Sequence, residues 1–298
     1  MKPNFHRLFR FRDENGRINY GEAPASEELI GTQVPIYTGS DPWNLHHTTQ
    51  TATVTEVLCP LPSVPIIYGI GMNYKAHIAE TKFPSPAHPV IFTKPPDALA
   101  GPYDSILVDP RCMDLDYEGE LCIVIGADCK NFIRGTDDAG SYVLGYTVGN
   151  DVSSRFWQAP PQSGNQHGYA KSFDGFAPIG PVIVSVDAVA SRHRVLQAGD
   201  PDLRLRTQVN GEERQDSRTS DLLFGLGEIL EHLSRGTTLR RGTVIMTGTP
   251  GGVAAFMKPP RWLRSGDVVE VEIEGLGKIK NKIVVLSENL QTGSYIVK

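Results

Sequence analysis

Asp116-Tyr117-Glu118-Gly119-Glu120-Leu121-Cys122-Ile123-Val124-Ile125-Gly126 is the stretch on which the reading of this chain turns. It has the marks of a β-strand: short, largely apolar and closed by a glycine. Side chains alternate faces along a strand, so Glu118 and Glu120 point the same way, with Asp116 as a candidate third. That face continues as Cys122 and Val124, and the opposite face carries Leu121, Ile123 and Ile125. Neither side is polar throughout, so the strand is expected to be buried on both faces with carboxylates at its end. Buried carboxylates repel each other and lose hydration, so they need a cation or a shared proton. Clustered oxygen ligands suit a hard divalent ion such as Mg2+. On an exposed strand the same E-x-E spacing is an ordinary pair of surface glutamates.

With 298 residues the chain can bury a large core, as one large domain or two unequal ones. A hydrophobic fraction of 40% with 21% charged residues is that of a globular protein, and a formal charge of −5 offers no basic footprint for nucleic acid or an anionic membrane. No apolar run is long enough to span a bilayer. Residues 1–12 carry several basic side chains without an apolar core and run into Asp13 and Glu14, so no secretory signal is read and a cytoplasmic location is expected. Cys59, Cys112, Cys122 and Cys129 lack C-x-x-C spacing, so neither disulfides nor zinc are expected. The abundance of glycine and proline predicts many turns and a β-rich fold.

In chain order, residues 1–62 read as a small separate unit. It holds a hairpin around Asp13-Glu14-Asn15-Gly16 and ends in a Pro-containing linker at 58–62. A buried strand over 66–70 leads to a short helix for which Asn73 is a candidate cap. His77 and Glu80 lie three apart there, neighbours on one helical face. They read either as an imidazole oriented by a carboxylate, which is how a water-activating base is built, or as a plain surface pair. Residues 81–89 read as a loop, the natural hinge if that helix is a lid. Lys94 is read as a solvated lysine at a strand end. Asp151 follows a strand and a glycine, the place of a functional carboxylate or of a helix N-cap, with Arg155 and Gln158 on one helical face beyond it. Residues 160–168 read as a polar loop. Lys171 stands in an apolar, Pro-punctuated segment, either as a surface residue or as a cation facing the carboxylates. The clearest helix is expected over 220–235, capped by Ser220 and stopped at Gly236, with Leu222, Leu226, Ile229, Leu230 and Leu233 on its core face. The turn Thr247-Gly248-Thr249-Pro250-Gly251-Gly252-Val253 offers two hydroxyls and backbone N–H groups suited to a carboxylate. It lacks the lysine and the following helix of a phosphate-binding loop.

Taken together, Asp116-Tyr117-Glu118-Gly119-Glu120-Leu121, Gly145-Tyr146-Thr147 with Asn150-Asp151-Val152-Ser153, Lys171-Ser172-Phe173-Asp174 and Thr247-Gly248-Thr249-Pro250 occur in an order and approximate spacing that resembles the fumarylacetoacetate hydrolase superfamily, in its short branch. That branch holds acylpyruvate hydrolases, oxaloacetate decarboxylases and tautomerases, and homoprotocatechuate-pathway isomerase/decarboxylases. The resemblance covers about residues 65–285. It implies a mixed β-rich α+β fold, a curved β-sheet roll with few helices. A small N-terminal β domain (1–62) would precede a catalytic domain (63–298), usually in a homodimer. It also implies one Mg2+ or Mn2+ on Glu118, Glu120 and Asp151, with Lys171 as the active-site lysine. Arg155 and Gln158 match substrate-contacting side chains, Thr249 the threonine at the substrate carboxylate, and His77 with Glu80 the lid pair that activates water or moves a proton.

On that resemblance, a 2-oxo acid chelates the ion through its carboxylate and keto oxygens, and the ion stabilises the enolate formed when a bond at C3 breaks. The leading expectation is hydrolysis of a C–C bond in acylpyruvate-like 2,4-dioxo acids. The alternatives are decarboxylation or keto–enol tautomerisation of oxaloacetate or a related 2-oxo acid, or a C–C lyase or isomerase in aromatic or polyketide metabolism. A non-catalytic oxo-acid or metal-binding scaffold is the competing reading from another class, and the lid pair argues against it.

Overall fold

The computed structural model describes residues 3–25, 28–81, 84–195, 200–288 and 295–296, with the side chains of Glu80, Thr81, Glu288, Tyr295 and Ile296 outside that description. Its centre is the acidic strand, Gly119–Ile125, buried at every position. The two faces of that strand feed two different cores, as the alternation of its residues requires. Leu121, Ile123 and Ile125 join a large cluster with Phe9, Phe11, Val269 and Val271. Cys122 and Val124 join a second cluster with Leu8, Ile179 and Met246.

The acidic strand lies between Val143–Asn150 and Val244–Met246, antiparallel to both. The sheet continues from Val244–Met246 to the parallel strand Ile67–Gly71 and then to Val90–Lys94. On the other side Val143–Asn150 pairs with Ala177–Val184. Ala177–Val184 in turn pairs with the N-terminal strand Arg7–Asp13, where Arg7 meets Val184 and Leu8 meets Ile183. The N-terminal strands Ile18–Glu22, Gln33–Thr38 and His46–Leu58 extend the same sheet to its edge. The expected hairpin is present: Gly16 N–H donates to the Asp13 carbonyl at 2.9 Å, and Arg12 stands opposite Ile18.

A second sheet, in the order Glu212–Arg218, Arg204–Val209, Val268–Ile273, Gly277–Val285, Ile106–Val108, packs its Val209, Val271 and Ile279 into the first cluster. Gly119 lies where the sheets approach: a Cβ there would stand 2.2 Å from Thr207 Oγ1.

The helix expected over 220–235 is shorter, Leu226–Ser234, and buries Leu226, Ile229, Leu230 and Leu233. Its start is fixed by tertiary contacts. Leu223 N–H donates to the Asn73 carbonyl at 2.7 Å and Phe224 N–H to Asn73 Oδ1 at 2.8 Å, which keeps that segment out of the helix. Glu228 then closes the first turn on Gly225 N–H at 3.1 Å. Asn73 itself does not cap the following helix, Lys75–Thr81. Its amide also donates to the Thr247 and Phe224 carbonyls, at 2.7 and 3.1 Å, and the helix N–H at Ala76 goes to Asp221 Oδ2 at 3.0 Å. Lys82 and Phe83, in the loop expected at 81–89, lie outside the described residues.

Candidate metal centre and active site

Strand register assembles the site. Gly119 pairs with Asn150 and Glu120 with Gly149, so Asp151, one residue past the partner strand, comes beside Glu118 and donates its N–H to the Glu118 carbonyl at 2.8 Å. On the other side Thr247 N–H reaches the Leu121 carbonyl at 3.0 Å, which carries the Gly-rich turn to Glu120. The ligand oxygens of Glu118, Glu120 and Asp151 all lie within 4.8 Å of one another, and all three residues are buried. Asp116 is not part of this group. One of its oxygens accepts from Ala254 N–H at 2.8 Å and the other from Arg155 Nε at 2.8 Å. It sits before the strand proper, in the two-residue strand Leu115–Asp116, so the alternation that aligns Glu118 with Glu120 does not extend to it.

Cations surround two of the three carboxylates. Lys171, also buried, bonds Glu118 Oε2 at 2.9 Å, Asp151 Oδ2, and Ser153 Oγ at 2.8 Å. Arg155 reaches Glu118 Oε1 at 2.6 Å. Lys94, read above as solvated, is fully buried. Its ammonium lies 2.6 Å from Asp151 Oδ1 and donates to the carbonyls of Lys171 and Phe176 at 2.7 and 2.8 Å. The strand does not end in solvent there, because the carbonyls of 152, 171 and 176 converge on it. Burial alone would raise the Glu118 pKa, but Lys171 and Arg155 outweigh it and hold the carboxyl at about 2. Burial lowers Lys171 in turn, and Asp151 with Glu118 turns the balance so that its pKa is raised.

Glu120 differs. It accepts Gly248 N–H at 2.6 Å, and no lysine or arginine pairs with it among the described residues. Burial, then Asp151 and Glu118, push its pKa well above the usual glutamate range. A carboxylate left without a cation beside two that have them is what a bound dication corrects, and three oxygen donors at this spacing suit Mg2+ or Mn2+. The residues present therefore fit a hard divalent ion. Gly248 is held to its type by the same contact: its φ is +105°, and a Cβ would stand 2.8 Å from that of Asn73.

A cavity of about 230 Å3 opens on this cluster, lined among others by Glu118, Lys171, Arg155, Gln158, Thr249 and His77. The buried His77 packs edge-on against Phe256, their rings 5.1 Å apart. Glu80 lies in the last turn of Lys75–Thr81, and the expected contact between its side chain and His77 falls outside the described residues. Asp151 is followed by Ser153–Ser154 in strand conformation and does not cap the single turn Arg155–Gln158, which Ser154 precedes. The Thr249 hydroxyl donates to the Gly119 carbonyl at 2.9 Å and accepts from Gln215 Nε2 at 2.8 Å. Gln158 stands between Arg155 and His167.

Lys94, Gln215 and His167 are parts of this site that sequence reading passes over. Lys94 left one trace, a lysine that closes the strand Val90-Ile91-Phe92-Thr93. Gln215 left none, since it arrives from the second sheet, where it also accepts Gly119 N–H at 3.0 Å.

Comparison with known proteins agrees with this geometry. The family profile described as Fumarylacetoacetate (FAA) hydrolase C-terminal matches residues 66–284. The chain is 39% identical over 269 residues to "Oxaloacetate tautomerase FAHD2A, mitochondrial" of Bos taurus, covering 90% of this chain and 78% of that protein. Among solved structures it resembles the 2-hydroxyhepta-2,4-diene-1,7-dioate isomerase from Mycobacterium marinum, with a TM-score of 0.75 and 33% identity over 94% of this chain and 98% of that one. It also resembles the fumarylacetoacetate hydrolase from psychrophilic Exiguobacterium antarcticum, with a TM-score of 0.74 and 34% identity over 93% and 99%. The bovine relative's name places it in mitochondria, and among the described residues no helix is long and apolar enough to cross a membrane. The fold, the buried carboxylates and the match over most of its length agree: this chain belongs to the fumarylacetoacetate hydrolase family.

Proposed function

We propose that the protein is a divalent-metal-dependent enzyme that interconverts the enol and keto forms of oxaloacetate or a closely related 2-oxo acid. The observation that carries this reading is the buried triad of Glu118, Glu120 and Asp151, whose Glu118 lines a small cavity together with His77. The bovine relative is named an oxaloacetate tautomerase, which supports putting tautomerisation ahead of the other chemistries of the family. A divalent ion held by the triad supplies Lewis acidity toward the carboxylate and oxo oxygens of the substrate, the charge that an enolate needs. Arg155 and Lys171 hold Glu118 and Asp151 in place. Apolar Ile70, Phe92 and Phe256 line the same cavity and limit the water that reaches it. His77 carries the proton: it takes it from the enol oxygen side and delivers it to C3, with no other bond broken. Glu80, three residues on in the same helix, is the carboxylate we assign to orient that imidazole.

A second reading, hydrolysis of the C–C bond of an acylpyruvate-like 2,4-dioxo acid, is favoured by the likeness to the Exiguobacterium hydrolase. A product assay separates the two. Enol-oxaloacetate, acetylpyruvate and fumarylpyruvate are each given to the enzyme with Mg2+ or with EDTA. Conversion of the enol to keto-oxaloacetate without CO2, lost with EDTA and in His77→Ala, is the expected result. Release of pyruvate and a second acid establishes hydrolysis instead, release of CO2 establishes decarboxylation, and no turnover of any of the three sinks the proposal. The homodimer usual in the family is the assembly we propose, and light scattering of the purified protein checks it.

A further inference from the structure

Both ends of the Gln158 amide are engaged. One end lies 2.8 Å from Arg155 Nη1, and the other lies 3.1 Å from Nδ1 of His167. An arginine N–H can only donate, so the end facing Arg155 is the oxygen and the end facing His167 is the NH2 group. Nδ1 of His167 must then accept. The imidazole is the neutral tautomer with its proton on Nε2. Arg155 cannot turn away, since Asp116 holds its Nε at 2.8 Å and Glu118 its Nη2 at 2.6 Å. Burial, then the nearby Lys171, keep the His167 pKa below the ordinary histidine value, which agrees with a neutral ring.

The ring is also fixed in space. It stacks on Phe92 with centroids 6.2 Å apart and planes at 26°, and the Lys171 ammonium lies 4.7 Å from the centroid of that same Phe92 ring. His167 therefore stands one aromatic ring away from the cation of the carboxylate cluster, and it lines the same cavity. Two other donors there, Lys171 and Thr249, are committed to protein acceptors. The three protons of Lys171 go to Glu118, Asp151 and Ser153, and the Thr249 hydroxyl proton goes to Gly119. The Nε2–H of His167 has no acceptor among the described residues.

We propose that His167 is a substrate-binding residue whose Nε2–H holds the second carboxylate of a dicarboxylic 2-oxo acid, with Gln158 positioning it by fixing its tautomer. The inference rests on the reading of the site as one for 2-oxo acids and deepens it: the enzyme selects diacids over monoacids. Two measurements test it. Ring 15N NMR of the ligand-free protein should show His167 protonated on Nε2, and Gln158→Glu, which accepts where the amide donated, should move that proton to Nδ1. Kinetics on enol-oxaloacetate and on the monoacid enol-phenylpyruvate should separate binding from turnover. One hydrogen bond to a charged group is lost in His167→Ala, so KM for oxaloacetate should rise about 10- to 100-fold while kcat changes little. The kinetics of phenylpyruvate should stay as they are. His167→Gln, which keeps an N–H donor, should recover part of the loss. Equal losses on both acids, no loss on oxaloacetate, or an Nδ1-protonated ring in the wild type would overturn the inference. If the wild type turns over neither acid, the functional reading fails by itself, and calorimetry with malate and lactate then decides the role of His167. A preference for malate that His167→Ala removes supports it, and any other pattern refutes it.

Discussion

At the scale of single residues, the site is a balance of buried charge in which Lys94 has a place that its sequence context hides. Among the described residues it is the one cation on Asp151 Oδ1, and it also gathers the carbonyls of 152, 171 and 176. Removing one member of a buried pair leaves the other charged and unsolvated, which costs about 3–5 kcal/mol. Lys94→Met should lower stability in urea by about that amount. A change below about 1 kcal/mol would instead be that of a solvent-exposed pair. The carboxylates show how far residue identity can be read in advance. Glu118 and Glu120 were legible because a strand alternates and both of its faces are apolar. Lys94 was not, because nothing local distinguishes a lysine that meets three carbonyls from one that meets water. Asp116 shows the same limit in reverse: its type and spacing fit the cluster, and its position before the strand sends it to Arg155 and the 254–255 turn.

At the scale of elements, Asn73 joins three pieces of chain. Its side chain bonds Phe224 twice and Thr247 once, and its carbonyl accepts Leu223 N–H. It thereby fixes where the helix Lys75–Thr81 leaves the sheet and where Gly248 presents its N–H to Glu120. Asn73→Ala strips partners from buried backbone groups, each worth about 1–3 kcal/mol. Amide exchange should quicken first in residues 75–78 and 223–224, well before the acidic strand, which opens only with the whole fold. Uniform quickening across both regions would show that Asn73 acts on global stability alone. The shortened helix Leu226–Ser234 belongs to the same account. Periodicity placed Leu226, Ile229, Leu230 and Leu233 on its buried face, yet the expected first turn with Leu222 was lost to the bonds that Asn73 makes with 223 and 224.

At the scale of the molecule, the N-terminal strands share a sheet and a core with the site. Phe9 and Phe11 stack at 4.8 Å and lie in one buried cluster with Leu121 and Ile123. Elements that bury one another unfold together. Trp43 reports on the N-terminal part and Trp157 and Trp262 on the rest, so single-tryptophan variants should give one common urea midpoint. Phe9→Ala should shift all of them together by about 3–5 kcal/mol. Separate midpoints would establish residues 1–62 as an independently folding domain.

The sequence by itself determined what depends on local order. The acidic strand with Glu118 and Glu120 on one face, the hairpin at Gly16 and the buried face of the helix at Leu226–Ser234 follow from alternation, turn chemistry and charge within a few residues. Only the tertiary structure decided which of the charged side chains meet. Lys94, Gln215, Asn73 and His167 reach the site from separate strands and loops. Their burial and partners are set by strand register and by the packing of two sheets, and the energy of a buried ion or hydrogen bond depends on those neighbours rather than on the residue's own surroundings in the chain.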